Sequence, residues 1–463
     1  MESKSRGSTF FKDHVLTAKY RLIHPRAGKY RKNLHTSQSM SRDELRHLQG
    51  EKLRRLVTHA WEHSGFYRRR FTAAGIDPRD ITGPEDLQAL PVLTRRDIRD
   101  HFDEIAARNV PPRLTKISTT GGTTGVPVKT LLDRRVPHAA LGWRMLSWWG
   151  YGPAVNMGLL WREASQSRRR ILSRLNAWPS LQVRLDASAI TPRTMERFIG
   201  RCERLHVPIL HGYTGAVHHL ADYLEMRGGD HWRPRLVWVT CAPLSGPHRR
   251  LLEKVFQAPV LDQYGSCEVY WIAAQCPWSG NDLHVFADAR LLEIVDKEFM
   301  PVPTGEAGRI LVTDLENLAF PIIRYAIGDR GRLLSRPCTC GMGLPLMAPV
   351  QGKTVDTIFL PDGTAITDIN VVFDDFPEAV RAFQVRQDRT GNLEIRYVPG
   401  ADSGITRRAV TIVARRLQDA VKGRIEITLK AVDEIPHRKG KLQYVFSEYP
   451  GSQRDLDSRP PAG

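Results

Sequence analysis

Between residues 191 and 261 the sequence alternates amphipathic segments with short apolar runs, and this alternation is what most constrains the fold. The pattern predicts three helices and three strands in alternating order, over residues 191–205, 207–210, 216–226, 236–239, 246–256 and 259–261. Parallel strands need long crossover connections, which are usually helices, so the alternation predicts an α/β fold with a parallel sheet. In such sheets, ligands bind in the loops that follow the strands.

A run of small and hydroxyl-bearing residues over 118–129 follows a strand-like segment at 114–117. It reads STTGGTTGVPVK, and its central part, the glycine loop, consists of Thr120, Gly121, Gly122, Thr123, Thr124 and Gly125. Glycine lets successive backbone N–H groups point into one concave surface, and threonine hydroxyls add donors, which suits a polyphosphate. The run lacks the Walker spacing, and taken alone it is equally typical of a polar turn.

Three later segments give this loop a context. They read Tyr264-Gly265-Ser266-Cys267-Glu268, Arg324-Tyr325-Ala326-Ile327-Gly328-Asp329 and Pro436-His437-Arg438-Lys439-Gly440-Lys441. Together with the glycine loop, in this order, they resemble the core motifs of the adenylate-forming superfamily of acyl-CoA synthetases, peptide-synthetase adenylation domains and luciferases. Residues 53–67, 74–76 and 90–99 resemble more narrowly the phenylacetate–CoA ligase branch, which includes members linked to capsular polysaccharide biosynthesis.

The resemblance runs from about residue 53 to about residue 447 and implies both architecture and reaction. We expect a basic arm over 1–40, a large adenylation domain with mixed and parallel sheets and a β-rich subdomain over 41–355, a small mobile α+β domain over 356–449, and a disordered tail over 450–463. The implied enzyme makes an acyl-adenylate from a carboxylic acid and Mg-ATP, releases pyrophosphate, and passes the acyl group to the thiol of CoA.

The resemblance also implies how the motif residues meet the nucleotide. The glycine loop would hold the β- and γ-phosphates, with the hydroxyl of Thr124 in a catalytic role. Glu268 would bind Mg²⁺, a hard ion that prefers carboxylate oxygen. Adenine and ribose would be met by residues of three later loops: Ala242, Pro243, Tyr264, Gly265 and Asp329. Among these, Tyr264 would stack on the adenine and Asp329 would accept the ribose hydroxyls.

Lys441 matches the lysine that the family's small domain inserts into the active site, where it would offset charge between the carboxylate and the α-phosphate. Lys439 is a near alternative. The hinge motif is represented by Lys353 and Asp356, with lysine in place of the usual arginine and Val355 in place of the first aspartate. Val126 replaces the usual lysine of the glycine loop, and Lys129 is a candidate to supply the missing charge.

Three other functions remain open on these residues, one of which is a basic nucleic-acid-binding or membrane-surface protein. An adenylating enzyme of this kind could pass its acyl group to a carrier-protein thiol, an amine or a hydroxyl instead of CoA. The altered Val126, Lys353 and Val355 also allow a non-catalytic nucleotide-binding homologue, although the retained Glu268, Asp329 and Lys441 argue against it. Residues 211–214 and 240–241 are expected to line the acid pocket. Trp143, Trp148 and Trp161 are nearby candidates, although the burial preference of tryptophan favours core packing as the role of each. An aromatic acid is the expected substrate.

Four soft or borderline metal ligands form a separate motif: Cys276, His284, Cys338 and Cys340. Four such ligands satisfy a closed tetrahedral zinc site. The spacing is not that of a standard zinc finger, and two buried thiols with an unrelated loop pair would give the same residues. Members of the branch with a matching set imply a structural zinc.

Charge and cysteine content narrow the remaining classes. The 463 residues contain 68 Lys and Arg against 50 Asp and Glu, a net charge of +18, which suits acidic ligands such as ATP and CoA. The basic residues are scattered and no nucleic-acid module is recognisable, so no nucleic-acid partner is expected. Arg168-Arg169-Arg170 is interpreted as a solvated loop, with contact to CoA phosphates as the alternative.

No apolar run is long enough to span a membrane, and six cysteines in a chain of this length do not suggest a disulfide scaffold. We therefore expect a cytoplasmic enzyme. The oligomeric state is open, with a homodimer as one alternative.

Overall fold

A computed structural model describes most of the chain. The described residues are 2–119, 128–161, 167–187, 190–350, 358–359, 365–366, 373, 376, 378–421, 423–435 and 445–449. Four of the sequence motifs lie wholly or largely outside these ranges. They are the glycine loop, the hinge candidates Lys353 and Asp356, the segment with Lys439 and Lys441, and the tail after residue 449.

The described helices, numbered in chain order, are α1 (Glu2–Ile23), α2 (Ala27–Ser37), α3 (Arg42–His63), α4 (Gly65–Ala73), α5 (Arg95–Asp100), α6 (Phe102–Ile105), α7 (Ala139–Trp148), α8 (Ser167–Ala177), α9 (Pro192–Arg204), α10 (Thr214–Arg227), α11 (Gly246–Phe256) and α12 (Ser403–Val421). Short 3₁₀ turns cover Pro78–Asp80, Pro84–Ala89 and Pro112–Leu114.

The described strands are β1 (Thr115–Thr119), β2 (Lys129–Asp133), β3 (Met157–Trp161), β4 (Gln182–Asp186), β5 (Ile209–Tyr213), β6 (Leu236–Thr240), β7 (Val260–Tyr264), β8 (Ala273–Ala274), β9 (Leu283–Val285), β10 (Arg290–Val295), β11 (Gly308–Asp314), β12 (Tyr325–Gly331), β13 (Leu333–Leu334), β14 (Leu346–Met347), β15 (Ile358–Phe359), β16 (Ala365–Ile366), β17 (Val380–Gln387), β18 (Leu393–Pro399), β19 (Ile427–Ala431) and β20 (Val445–Ser447).

The chain divides into two compact units, each built from separate stretches of sequence. Unit 1 comprises Met1–Leu16, Ala154–Asp262 and Gln351–Ser458, and unit 2 comprises Thr17–Pro153, Gln263–Val350 and Arg459–Gly463. The predicted linear domains, 41–355 and 356–449, remain a prediction.

Unit 1 contains the predicted parallel sheet. Strands β4, β3, β5 and β6 are adjacent in that order, and each neighbouring pair is parallel. The helices between them are amphipathic and bury one face, as Met195, Phe198 and Ile199 do on α9. The α/β fold class is therefore confirmed, and the observed helices and strands follow the predicted alternation to within a few residues at each end.

A second sheet in unit 1 is formed near the carboxyl terminus. Strands β17 and β18 form an antiparallel hairpin, β20 pairs parallel with β17, and β19 pairs parallel with β18. Helix α12 covers the sheet through Ala409, Val413 and Leu417, which are buried in one apolar cluster with the strands. The combination is the small α+β assembly that the sequence predicts for this region.

Unit 2 is mostly antiparallel. Strands β10, β11 and β12 form one sheet, and β13, β14, β9 and β8 form another row of neighbours, to which the last residues of β7 add Gln263 and Tyr264. Strands β1 and β2 form a separate hairpin. Ser41 is the N-cap of helix α3 and forms a capping box, since the side chains of Ser41 and Glu44 each accept from the other's backbone N–H.

A buried ion pair joins the first residue of β10 to the last residue of β11. Arg290 donates to Asp314 at 2.7 Å, and both side chains are almost completely buried. The same guanidinium donates to the carbonyl of Tyr270 at 2.8 and 3.0 Å. The pair therefore links the sheet to the loop that follows β7.

The first 40 residues differ from the arm that the sequence suggests, because they contain α1 and α2. In unit 2, Ala27, Leu34 and Ser37 of α2 are buried. Tyr20 contacts the ring of Trp143 at 4.7 Å between centroids. Basic residues predominate in this segment, and few of its residues make apolar contacts. The sequence therefore predicts a loosely held arm, whereas the structure has two helices.

The arginine run at 168–170 is also not a loop. These residues lie in α8, which continues through Ile171, Leu172 and Leu175. In the part of the chain that the structure describes, no helix is both long enough and apolar enough to cross a membrane.

The structure predicts a large stability cost when the buried pair of Arg144 and Asp288 is broken. Arg144 donates two hydrogen bonds to Asp288, at 2.6 and 3.0 Å, and a third to the carbonyl of Leu34. Burial alone would raise the pKa of Asp288, but Arg144 and Ser37 bring that pKa below its usual value. Arg144→Ala should therefore lower the free energy of unfolding by about 3–5 kcal/mol, because it leaves a buried carboxylate without its main cation.

Chemical denaturation measures this loss. Arg389→Ala is the matched control, because its side chain is 85% exposed and its pairing with Glu448 is long, at 3.9 Å. A loss from Arg144→Ala no larger than that of the control would contradict the role given to the buried pair.

Candidate functional site

Two motif residues that are distant in sequence meet in unit 2. The hydroxyl of Tyr264 donates to Oδ2 of Asp329 at 2.7 Å. The Asp329 side chain is 8% exposed, whereas Tyr264 is half-buried and packs against the main core of this unit. Burial and the neighbouring Asp329 carboxylate raise the pKa of Tyr264 well above its usual value, so its hydroxyl stays protonated as a donor.

A second carboxylate of the site belongs to Glu268, which is 4% exposed. The hydroxyl of Tyr325 donates to its Oε1 at 3.2 Å. The Ser266 hydroxyl accepts from the backbone N–H groups of Glu268 and Val269, at 3.2 and 3.0 Å, and fixes the turn. Burial, then Glu268, raises the pKa of Tyr325 well above its usual value, which keeps it a donor to the carboxylate.

Gly265 is required by close packing in this turn. A Cβ at this position would lie 3.0 Å from Nε2 of Gln263 and 3.1 Å from the backbone nitrogen of Trp271. The backbone of the turn cannot move away easily, so glycine allows Tyr264 and Glu268 to follow one another on a tight path.

The base of the glycine loop is joined to the same turn. Strands β1 and β2 flank the loop, and their last pair before it is Thr119 with Lys129. Ser118, which is 7% exposed, donates its hydroxyl to the carbonyl of Cys267 at 2.8 Å. The hairpin that bears the loop is thus anchored beside Glu268, although the loop itself lies outside the described residues.

Arg324 anchors the third motif. It has a left-handed backbone, with φ of 48°, and its guanidinium pairs with Glu293 at 2.9 Å. It also donates to the carbonyl of Leu90 at 2.7 Å. The backbone of Leu93 bonds to both sides of Tyr325, so the predicted 90–99 segment supports the strand that bears Asp329.

In unit 1, Ala242 and Pro243 follow the carboxyl end of β6. The buried hydroxyl of Thr214, the first residue of α10, lies 3.1 Å from the carbonyl oxygens of both Thr240 and Ala242. Cys241 between them has a left-handed backbone with φ of 73°. A non-glycine residue held in this conformation marks a loop whose path is fixed by its surroundings.

The same edge of the parallel sheet presents an aromatic cluster. The ring of His211 stacks on Trp238 with centroids 3.5 Å apart, and Trp161 contacts His211 at 5.0 Å and Tyr213 at 4.4 Å. His211 and Trp238 are direct partners on β5 and β6, and Trp161 ends β3. The cluster is therefore a product of strand register.

Two details fix the chemistry of this cluster. Gly212 allows β5 to approach β3, because a Cβ there would lie 2.7 Å from the Leu160 carbonyl oxygen. Burial lowers the pKa of His211 to about 3, although the Trp238 carbonyl, which accepts from its Nδ1 at 3.1 Å, favours protonation. His211 is thus a neutral ring.

The other two tryptophans that the sequence offers make different contacts. Trp143 packs with Tyr20 and lies under the Arg31 guanidinium, while Trp148 contacts the rings of His284 and Phe286. Sequence reasoning gave no role to Trp238, Ser118 or Tyr325. Trp238 had one signal, its place within the predicted strand 236–239.

The four predicted metal ligands come together in unit 2. One ligand atom from each of Cys276, His284, Cys338 and Cys340 lies within 4.8 Å of all the others. The sulfurs of Cys276 and Cys338 are 3.8 Å apart, and Sγ of Cys340 is 3.4 Å from Nε2 of His284. A tetrahedral zinc with Zn–S bonds of about 2.3 Å would place two sulfurs about 3.8 Å apart.

The surroundings orient the ligand set. Nδ1 of His284 donates to the Leu344 carbonyl at 3.0 Å, which leaves the unprotonated Nε2 directed at the thiols. Burial lowers the pKa of His284, so the imidazole is neutral. Gly341, with φ of 79°, turns the chain just after Cys340.

No family model matches the chain, but several known proteins are similar to it in sequence. The chain is 25% identical over 375 residues to a phenylacetate–coenzyme A ligase of Thermus thermophilus, covering 77% of this chain and 81% of the relative. It is 25% identical over 450 residues to that of Escherichia coli, covering 88% and 96%. Protein CapK of Staphylococcus aureus is 21% identical over 293 residues, covering 62% and 63%.

The fold is similar to that of a 2-hydroxyisobutyryl-CoA ligase in the postadenylation state, with a TM-score of 0.72, 19% identity and 92% of each chain covered. The amide bond synthetase McbA from Marinactinospora thermotolerans gives a TM-score of 0.51 at 16% identity, over 72% and 69% of the chains. The predicted resemblance to adenylate-forming ligases is therefore confirmed, in sequence by the phenylacetate–coenzyme A ligases and in fold by these structures.

Proposed function

We propose, from this similarity to phenylacetate–coenzyme A ligases, that the chain is an AMP-forming acid–thiol ligase. It activates a carboxylic acid with ATP and transfers the acyl group to CoA. The observation that supports this most strongly is the contact of Tyr264 with Asp329 and of Glu268 with Tyr325. These pairs unite two separate motifs, and Ser118 ties the hairpin of the glycine loop to the same turn.

The nucleotide would be held by three kinds of group: a carboxylate, an aromatic ring, and backbone N–H and hydroxyl donors. Asp329 offers acceptor oxygens for the ribose hydroxyls, and the bond from Tyr264 fixes the orientation of its carboxylate. The half-buried ring of Tyr264 offers a flat face to adenine, a type of stacking that contributes about 1–3 kcal/mol per base. The glycine loop would supply backbone N–H groups and threonine hydroxyls to the phosphates.

Glu268 fits a magnesium ion by its chemistry. Its carboxylate is buried and accepts one hydrogen bond from Tyr325, and Mg²⁺ prefers hard oxygen ligands. When bound, the ion would neutralise charge on the phosphates of ATP. The residues of the chain orient this carboxylate through Ser266 and Tyr325.

The reaction proceeds in two displacements. A carboxylate oxygen of the acid attacks the α-phosphorus, the bond to pyrophosphate breaks, and an acyl-adenylate forms. The thiol of CoA then loses its proton to solvent and its sulfur attacks the acyl carbon, and AMP leaves with the electron pair of the broken C–O bond. Lys441, assigned from sequence alone, would place a positive charge between the carboxylate and the α-phosphate in the first step.

Pyrophosphate release with Mg-ATP, measured across aryl and aliphatic acids with and without CoA, tests this function. We expect release that requires an acid, forms AMP and rises with CoA. Acid-dependent release that is indifferent to CoA would favour a carrier-protein, amine or hydroxyl acceptor. Binding of ATP without release for any acid would favour a non-catalytic homologue.

Lys441→Ala should abolish pyrophosphate release but spare CoA thiolysis of a supplied acyl-adenylate, because its charge acts on the first step. Lys439→Ala is the matched control, two residues away in the same basic motif, and should retain both half-reactions. Retained release in Lys441→Ala, or its loss in Lys439→Ala alone, would overturn the assignment.

The acid is proposed to be aromatic. Trp161, His211, Tyr213 and Trp238 contact one another in a cluster on three parallel strands. Trp161 and Tyr213 end β3 and β5, next to the loops where α/β sheets bind ligands. An aryl ring gains from edge and face contacts with such a cluster beyond its simple burial. Neutral His211 adds no charge that would favour a second carboxylate on the acid.

Trp161→Ala should lower kcat/KM for aryl acids by about tenfold to a hundredfold, the effect of removing one large aromatic contact. Short aliphatic acids should lose much less, so the aryl-to-aliphatic ratio is the informative measurement. Trp278→Ala, at a position that is 61% exposed, is the matched control. An unchanged ratio in Trp161→Ala would contradict the aromatic pocket.

A structural zinc is proposed at Cys276, His284, Cys338 and Cys340. Burial raises the pKa of Cys340 to about 12 and also raises that of Cys276, so without a metal these side chains are protonated thiols. A metal would convert them to thiolates and release protons. The spacing of the ligand atoms supports one tetrahedral ion and not an unrelated set of thiols.

Elemental analysis of protein purified without chelator should find about one zinc per chain. Cys338→Ser should lose that zinc and lower the melting temperature. Cys241→Ser, at an exposed cysteine outside the cluster, should keep the zinc. Less than about a tenth of an equivalent in the unmodified protein would count against a closed site.

A cytoplasmic location is proposed because the proposed reaction uses ATP and CoA. ATP and CoA are intracellular reactants, and none of the six cysteines forms a disulfide. A reducing compartment would keep the thiols available for a metal.

A further inference from the structure

Helix α8 lies in unit 1 with its apolar residues on the solvent side. The exposed fractions are 58% for Ile171, 59% for Leu172, 60% for Leu175 and 57% for Trp178, just after the helix. Leu181, a few residues on, is 43% exposed. Five large apolar side chains within eleven residues of sequence are far more exposed than is usual for these residue types.

The orientation of the helix explains this exposure. At 100° per residue, positions 171, 172, 175 and 178 fall on one face. The opposite face contains Ser173 and Ala177, which are half-buried, and the guanidinium of Arg184 on β4 donates to the Ser173 hydroxyl at 2.9 Å. A surface helix ordinarily buries its apolar face and exposes its polar one, so α8 is reversed.

The charge of the same segment has one sign. Residues 167–181 contain four arginines, at 168, 169, 170 and 174, and no aspartate or glutamate. Arg174 is exposed on α8 itself. The segment therefore combines an exposed apolar face, a tryptophan near its end and a local excess of positive charge, in a chain whose net charge is +18.

We propose that α8 and the residues that follow it, 167–181, form a docking surface for an anionic lipid bilayer. Interfacial helices place leucine, isoleucine and tryptophan at the level of the lipid headgroups while arginines meet the anionic phosphates. A free phosphate or a CoA phosphate has the complementary charge but offers nothing to the apolar face. A nucleic acid has the charge and flat bases, but it gives no burial to Ile171 and Leu172.

The proposed contact is peripheral and independent of the ligase reaction. It needs the described apolar residues of α8 and the arginines around them, and it requires no spanning segment. It would hold the enzyme at a membrane surface while its substrates remain small molecules. Because lipid binding is measured without ATP, acid or CoA, its failure and a failure of the proposed ligase activity are separate results.

Co-sedimentation of the full-length protein with vesicles tests the proposal. We expect binding to vesicles of equal parts phosphatidylglycerol and phosphatidylcholine, much weaker binding to phosphatidylcholine alone, and weakening as salt is raised. The double variant Leu175→Gln, Trp178→Gln should reduce the partition coefficient by at least about tenfold, because it removes two large apolar side chains from the face. Arg174→Glu should also reduce the partition coefficient, because it replaces a positive charge by a negative one near the anionic lipid.

Met226→Gln is the matched control, since Met226 is an apolar residue that is 68% exposed elsewhere in unit 1, and it should bind like the unmodified protein. Circular dichroism and the melting temperature establish whether the variants are folded. If the double variant is unfolded, the vesicle binding of Arg174→Glu is the test of the proposal. No binding of the unmodified protein to anionic vesicles would overturn the proposal. Equal loss in Met226→Gln, or α8-dependent binding to an acidic carrier protein in place of vesicles, would overturn it as well.

Discussion

The ion pair of Arg290 with Asp314 is the interaction on which much of unit 2 depends. Both groups are buried, so their charges are stable there only because each compensates the other. Arg290 also binds the Tyr270 carbonyl, two residues after Glu268. One guanidinium thus fixes both the end of the β10–β11 pairing and the path of the loop after β7. The loop that bears Glu268 is therefore held against the β10–β11 sheet.

The two units contribute to function in different ways. Unit 2 presents carboxylates whose orientation is fixed by tyrosine hydroxyls, an arrangement suited to hydroxyl groups and hard cations. Unit 1 presents neutral aromatic rings at the ends of parallel strands, an arrangement suited to an apolar substrate. Burial shifts the pKa in opposite directions in the two sets but favours the neutral form in both. It raises the pKa of Tyr264 in unit 2, which stays a protonated donor, and lowers that of His211 in unit 1, which stays uncharged.

Local periodicity was sufficient to predict the parallel sheet, because α9, α10 and α11 are amphipathic and the strands between them are short apolar runs. Motif order was sufficient to place Tyr264 and Asp329 in one site. The partners of these residues were not predictable, since Tyr325 meets Glu268 and Ser118 meets Cys267 through long-range packing that no local pattern records. Helix α2 was missed because its buried residues are few among many basic ones. Helix α8 was not predicted, because a run of three arginines is typical of a solvated segment in a helix as well as in a loop.

The Cys276 cluster has a consequence for the unfolded chain. Its members are far apart in sequence: Cys276 and Cys338 are separated by 62 positions, and His284 and Cys340 by 56. A bound ion that holds them together would act as a reversible cross-link and restrict the conformations open to the unfolded polypeptide. For a covalent link across a loop of this size, the loss of loop entropy corresponds to about 4 kcal/mol. Metal supply would then regulate how long the chain survives without altering a single contact to its substrates.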